Sequence, residues 1–185
     1  MYMPRYFIAL NLPPEAKTVF KDIQDGLKQQ NSDVKITWVD PHIGHINMHF
    51  LGDLNENDLN HLKQELKALK EKYGPISLVL TGVGAFPGIE NPRILFLGIK
   101  HSGENNLIKL YSDLKDILIQ EKIHIEERPF IAHTTLGRVK SNSNRVKFPG
   151  EEMKDYEFKV DSFKLIASTL TAEGPMYDVV ESYDL

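Results

Sequence analysis

The 185-residue chain contains no cysteine, which excludes a disulfide framework, a thiol nucleophile and cysteine-ligated zinc. No apolar run approaches membrane-spanning length. The start, Met1-Tyr2-Met3-Pro4-Arg5-Tyr6-Phe7-Ile8, has too short an apolar stretch and no cleavage pattern for a signal peptide, so a cytoplasmic protein without a membrane partner is the expectation. Positive charge is not in excess: a net charge of −4 argues against nonspecific coating of long nucleic acid. No linker or low-complexity stretch interrupts the chain, and residues 1–185 read as a single domain with room for one core or for two lobes sharing one. A Walker-type phosphate loop and a Gly-x-Ser-x-Gly elbow are both missing.

What the chain does have is a pair of short histidine runs. His133-Thr134-Thr135-Leu136 follows Arg128-Pro129-Phe130 and precedes Gly137-Arg138; a fainter copy, His45-Ile46-Asn47-Met48, lies 88 residues earlier. Side chains alternate faces along a strand, so His133 shares a face with Thr135, and His45 with Asn47 and His49; Ile46, Met48 and Phe50 take the other face. From Arg128 to Gly150 there are five basic residues and no acidic one, an island that suits a small anionic ligand.

Apolar spacing predicts strands over Arg5–Leu12, Val34–Val39, His45–Leu51, Ile76–Thr81, Arg93–Lys100, around His133, and over about Phe158–Leu170 and Met176–Ser182. Helices are expected from Pro14 to about Gln30, from about Glu56 to Lys72 and from about Glu104 to Gln120, each with an apolar stripe. Gly82 to Pro87 reads as a loop, Ser141 to Asn144 as a polar loop and Thr171 to Pro175 as a hairpin-like turn. Strands joined by short turns predict antiparallel sheets and an α+β fold. The two histidine runs sit at comparable places in halves of similar size, which suggests an internal duplication.

An imidazole titrates near neutrality, so a pair of them can divide the labour of general base and general acid. A phosphodiester suits such a pair, because in-line displacement puts attacking and leaving oxygens on opposite sides of phosphorus. Asn47 and Thr135 could donate hydrogen bonds to the nonbridging oxygens. The scheme calls for no metal and no cofactor. A zinc site from His42, His45 and His49 is the competing arrangement, but Pro41, Gly44 and the alternation through Phe50 oppose the helix that would gather them. His42, His61, His101 and His124 read as ordinary surface or structural residues.

On these motifs the chain resembles the RNA 2′,3′-cyclic phosphodiesterases, also called 2′-5′ RNA ligases, of the 2H phosphoesterase superfamily. The resemblance runs through nearly the full length: Arg5 to Leu10, Trp38-Val39, His45 to Gly52, Gly82 to Pro87, Pro92 to Gly98, Arg128 to Phe130, His133 to Arg138 and Gly174 to Tyr177. It implies a bilobal α+β structure, two antiparallel sheets facing across a cleft with helices outside. It also implies that His45 protonates the leaving 3′ oxygen, that His133 activates water, and that Arg138 helps hold phosphate. The implied substrates are RNA 3′ ends or small cyclic nucleotides, hydrolysed by a monomer to 2′-phosphates.

Two positions depart from the family pattern. Asn47 stands where the family has threonine, and Ala132 where a proline usually precedes the second histidine. Two alternatives to simple hydrolysis therefore stay open: cleavage or joining of 2′-5′ linkages by the same histidines, and an RNA-end or nucleotide binding module that has lost turnover. Phe86 and Phe130 are candidates for stacking on a base. Strand parity puts Arg138 on the face opposite His133, so it must reach the cleft at the strand end or through a kink at Gly137.

Overall fold

Among the residues that the computed structural model describes (4–141, 143–150, 153–171 and 174–185), the chain forms nine strands and three α-helices. In order these are β1 (Arg5–Asn11), α1 (Pro14–Gln30), β2 (Ile36–Trp38), β3 (His45–Asp53), α2 (Glu56–Leu66) and β4 (Ile76–Phe86). Then follow β5 (Ile94–His101), α3 (Asn106–Gln120), β6 (His133–Val139), β7 (Tyr156–Val160), β8 (Ser162–Thr171) and β9 (Gly174–Asp184). All pairings are antiparallel, in a four-stranded sheet of order β3-β1-β8-β9 and a five-stranded sheet of order β2-β6-β5-β4-β7. The α+β architecture with two antiparallel sheets is therefore the one the sequence predicts. No described helix is long and apolar enough to cross a membrane.

Helix signals in the sequence act as expected. Proline opens α1, and the Asn55 side chain accepts from the Asp58 N–H to cap α2. Leu107, Leu110, Leu114 and Leu118 of α3 are all buried, which is the predicted stripe. The helices cross over between sheets. α1 leaves the four-stranded sheet and packs on the five-stranded one, where Gln24 reaches β6. α3 follows β5 of the five-stranded sheet, yet its Tyr111 carbonyl meets His49 on β3 of the other. This exchange ties both outer faces into one core while the inner faces stay open to each other.

Four boundaries differ from the sequence reading, each for a physical reason. Gly82 to Phe86 is not a loop but the second half of β4, paired with β5; its glycines leave room for a neighbouring ring, described below. Phe158–Leu170 is two strands in different sheets. β7 pairs with β4 and β8 with β1, and only Asp161 separates them, with no glycine or proline to mark the change. The helix expected to run to Lys72 ends at Leu66 and tightens to a 3-10 turn over Lys67–Leu69, before Glu71 at φ 58°. β2 is trimmed to Ile36–Trp38. Asn142 of the expected polar loop, and Ala172 and Glu173 of the expected turn, lie outside the described residues.

Candidate active site

His45 opens β3 and His133 opens β6, and these strands, one from each sheet, approach each other across the cleft. Both imidazoles are anchored in the same way. Nδ1 of His45 lies 2.8 Å from the Ile43 carbonyl oxygen, and Nδ1 of His133 lies 2.6 Å from that of Ile131. A carbonyl only accepts, so Nδ1 carries the proton in each ring and Nε2 is left to exchange protons.

Each ring also rests on an aromatic pair. His45 packs against Phe7 and, edge-on, Tyr177, with centroids 5.2 and 5.5 Å away. His133 meets Phe86 and Phe96 edge-on at 5.0 and 5.3 Å, and those two rings stack on each other at 4.4 Å. The Phe96 ring crosses over Gly84, its partner on β4, where a Cβ would come within 2.5 Å of the ring. Glycine at 84 is thus what lets the support of His133 lie flat.

Burial holds the His45 imidazole below its ordinary value near 6.5. The bond to Ile43 works the other way, while the nearby His133 and Lys17 disfavour a second charge. The influence of His133 on His45 reflects their closeness.

The face assignments change midway along both strands, and the change is the same in each. On β3, Ala9 pairs with Asn47 and Ile8 with His49, leaving Met48 as an extra residue; on β6, Phe96 pairs with Thr135 and Leu95 with Gly137, leaving Leu136. Each is a β-bulge three residues after the histidine, and an extra residue reverses the parity of everything beyond it. The expected grouping of His49 with His45 is therefore wrong. His49 is 4% exposed, hydrogen-bonds the Tyr111 carbonyl and stacks on the Tyr111 ring on the outer face, while Phe50 joins Phe7 on the cleft face. With His49 turned away, His42, His45 and His49 do not converge. On β6 the same device resolves the parity problem of Arg138. The bulge, not a kink at Gly137, returns it to the face of His133 and Thr135, opposite Ile94. Arg138 has no ion-pair partner among the described residues, and its charge is felt by Tyr177 on β9, across the cleft.

Of the candidate phosphate donors, Thr135 and Asn47 both sit half-buried beside their histidines. The Oδ1 of Asn47 is buried without a hydrogen-bond partner, whereas its Nδ2 is not so enclosed, which makes the amide N–H the cleft-facing end. Phe130 stacks on Tyr111, far round from the cleft face, so of the two candidate base platforms only Phe86 lies at a histidine.

Three residues here were not identified from the sequence. Tyr177 and Phe50 come in only through strand pairing and the bulge. Gln24 is fully buried on α1 and donates from Nε2 to the carbonyls of Val39 (2.6 Å) and Leu136 (2.9 Å), so it holds the bulge residue itself. A polar residue on the apolar stripe of α1, four after Phe20, was the available signal. Surface hollows of about 300 and 350 Å³ lie elsewhere and contain none of these residues.

Comparison with known proteins gives concordant results. The family model described as LigT-like phosphoesterase matches twice in tandem, over residues 10–96 and 97–177, one histidine run in each. An RNA 2′,3′-cyclic phosphodiesterase from Thermotoga maritima is 30% identical over 95% of this chain and 92% of its own length. One from Methanocaldococcus jannaschii is 30% identical over 97% and 99%. The Thermus thermophilus protein TT0787 superposes with a TM-score of 0.85 at 26% identity, covering 98% of this chain and 97% of that one. E. coli LigT complexed with 3′-AMP, at 21% identity, shares the fold with a TM-score of 0.80 and 98% coverage of both chains.

Proposed function

Because the chain belongs to the LigT-like phosphoesterases, we propose that it is a cyclic phosphodiesterase that hydrolyses 2′,3′-cyclic phosphates, at RNA ends or in small nucleotides, to 2′-phosphates. Curated relatives named RNA 2′,3′-cyclic phosphodiesterase support the substrate class. The observation that carries the reading is the matched pair of imidazoles on facing strands, both protonated at Nδ1, with Arg138 brought to the same face by the β6 bulge. The chain acts, in this reading, as one bilobal unit, 1–185, monomeric and cytoplasmic.

With the cyclic phosphate between the two rings, water loses a proton to Nε2 of neutral His133 as its oxygen attacks phosphorus. The P–O3′ bond breaks, and the 3′ oxygen takes the proton from Nε2 of protonated His45. Thr135, the Asn47 amide and Arg138 donate to the nonbridging oxygens as charge builds there. The step ends with His133 protonated and His45 neutral, and solvent exchange restores both. Burial disfavours the charged His45 that the step requires, and the phosphate's negative charge offsets that when substrate is bound.

The direct test is turnover of a 2′,3′-cyclic mononucleotide, in excess chelator, by the parent and by His45→Ala and His133→Ala. Each histidine should contribute about 10²–10⁴-fold, with circular dichroism unchanged. Near-parental turnover by either variant would reject the two-histidine scheme. Loss of parental activity on chelation, restored by zinc, would reject the metal-free one. Binding without product would favour the binding-module alternative.

A further inference from the structure

Lys164 on β8 lies opposite Ala9 on β1, and Ala9 lies opposite Asn47 on β3, so the three form one row across the four-stranded sheet. Ile166 fixes the face of that row: two residues on from Lys164, it packs with Phe7 and Ala9 in the small apolar cluster beneath His45. Lys164 therefore stands on the cleft wall that carries His45. Two inter-strand steps, about 9–10 Å, separate the Cα atoms of Asn47 and Lys164. Between them Ala9 presents only a methyl group, over which a lysine stem can extend.

Lys17, in the first turn of α1, comes to the same place from the chain leaving β1. Burial and the neighbouring Lys164 both hold its ammonium below its ordinary value, and His45 in turn feels Lys17. Among the described residues neither lysine has an ion-pair partner, and Asp40 is the only carboxylate whose charge offsets them, the weakest of the influences on Lys17. The contrast with other lysines is direct: Lys21 and Lys28 meet Asp25, Lys63 meets Glu181, and Lys72 meets Asp113. Two half-buried like charges beside a histidine that must itself become charged are unfavourable until an anion joins them.

The geometry points to a second anion subsite, in which Lys17 and Lys164 hold the phosphate on the 5′ oxygen of the ribose whose 2′,3′-cyclic phosphate lies between the histidines. This rests on the proposed reaction. At an RNA 3′ end, that 5′ phosphate is the nearest one to the reacting group, and a cyclic nucleoside phosphate with a free 5′ hydroxyl cannot supply it. The subsite therefore makes the enzyme selective for RNA ends, or for 5′-phosphorylated cyclic nucleotides, over simple cyclic nucleotides.

Three substrates separate the sources of this anion: a nucleoside 2′,3′-cyclic phosphate, the same compound bearing a 5′ phosphate, and a dinucleotide ending in the cyclic phosphate. The parent should favour the second and third by kcat/KM. Lys17→Gln and Lys164→Gln should each reduce that preference about 5-fold, the upper range for a single partly exposed ion pair. Each should also lower the salt dependence on the dinucleotide by about 0.7 in log–log slope, whereas Lys164→Arg should retain the preference. An unchanged preference in both variants, or an equal loss on all three substrates, would overturn the subsite. So would a gain from the added nucleoside without one from the 5′ phosphate. If the parent turns over none of the three, the reaction itself is wrong and the subsite falls with it. Turnover of all three without preference sinks the subsite alone.

Discussion

Gly84→Ala tests whether His133 owes its position to the aromatic bed beneath it. A Cβ at 84 would sit 2.5 and 2.7 Å from two Phe96 ring carbons, where ordinary carbon contacts lie at about 3.5–4.0 Å. The Phe96 ring must therefore withdraw by about 1 Å. It cannot do so alone, because Phe86 stacks on it at 4.4 Å and His133 leans on both rings. A misplacement of about 1 Å in a reacting group lowers turnover by about 10²-fold, and that is the expected loss in kcat/KM on a 2′,3′-cyclic mononucleotide. Gly82→Ala is the matched control: it lies two residues away on the same strand, a Cβ there meets nothing within 4 Å, and it should retain parental activity. A Phe96→Leu background should shrink the Gly84→Ala effect, since the ring that carries the clash is gone. If Gly84→Ala matches Gly82→Ala in activity, or if its loss persists undiminished with Leu at 96, the aromatic bed does not position His133.

Three further outcomes are expected. Thr134 is 1% exposed and its Oγ1 has no partner, so Thr134→Val should stabilise the fold by about 1 kcal/mol or more, read as a rise of about 2–4 °C in Tm per kcal/mol; a lower Tm would mean the hydroxyl is satisfied. Asn47→Thr should raise Tm by removing a buried unpaired acceptor and should preserve or raise kcat/KM, while Thr135→Ala lowers it; a dead Asn47→Thr enzyme would give asparagine a role of its own. His45 and His49 both have imidazoles held below the ordinary value by burial, so the unfolded chain takes up protons first as pH falls from about 6.5. Stability should therefore be lost on acidification below that pH, and His49→Gln should flatten the loss seen in chemical denaturation across pH 7 to 5; an unchanged slope would refute it.

Much of this protein is determined locally. Proline at the start of α1, the Asn55 cap and the leucine stripes of α2 and α3 act within a turn or two of themselves, and the helices form where the sequence predicts them. The two histidine runs are also visible as sequence, because a strand and its alternation need only a few residues. What the sequence could not determine is set by the partner strand. Nothing in Met48 or Leu136 marks a bulge, since an extra residue exists only relative to Ala9 and Ile8, or to Phe96 and Leu95, across the ladder. Yet those two insertions decide that His49 leaves the cleft and that Arg138 enters it. The passage from β7 to β8 at Asp161 is equally silent, because the alternation continues while the sheet changes. Gly84 reads as a turn residue until the Phe96 ring is seen lying over it. Lys164 likewise gains its neighbours Asn47 and Lys17 only when three distant segments are laid side by side, because register and facing are properties of pairs of strands and not of either strand alone.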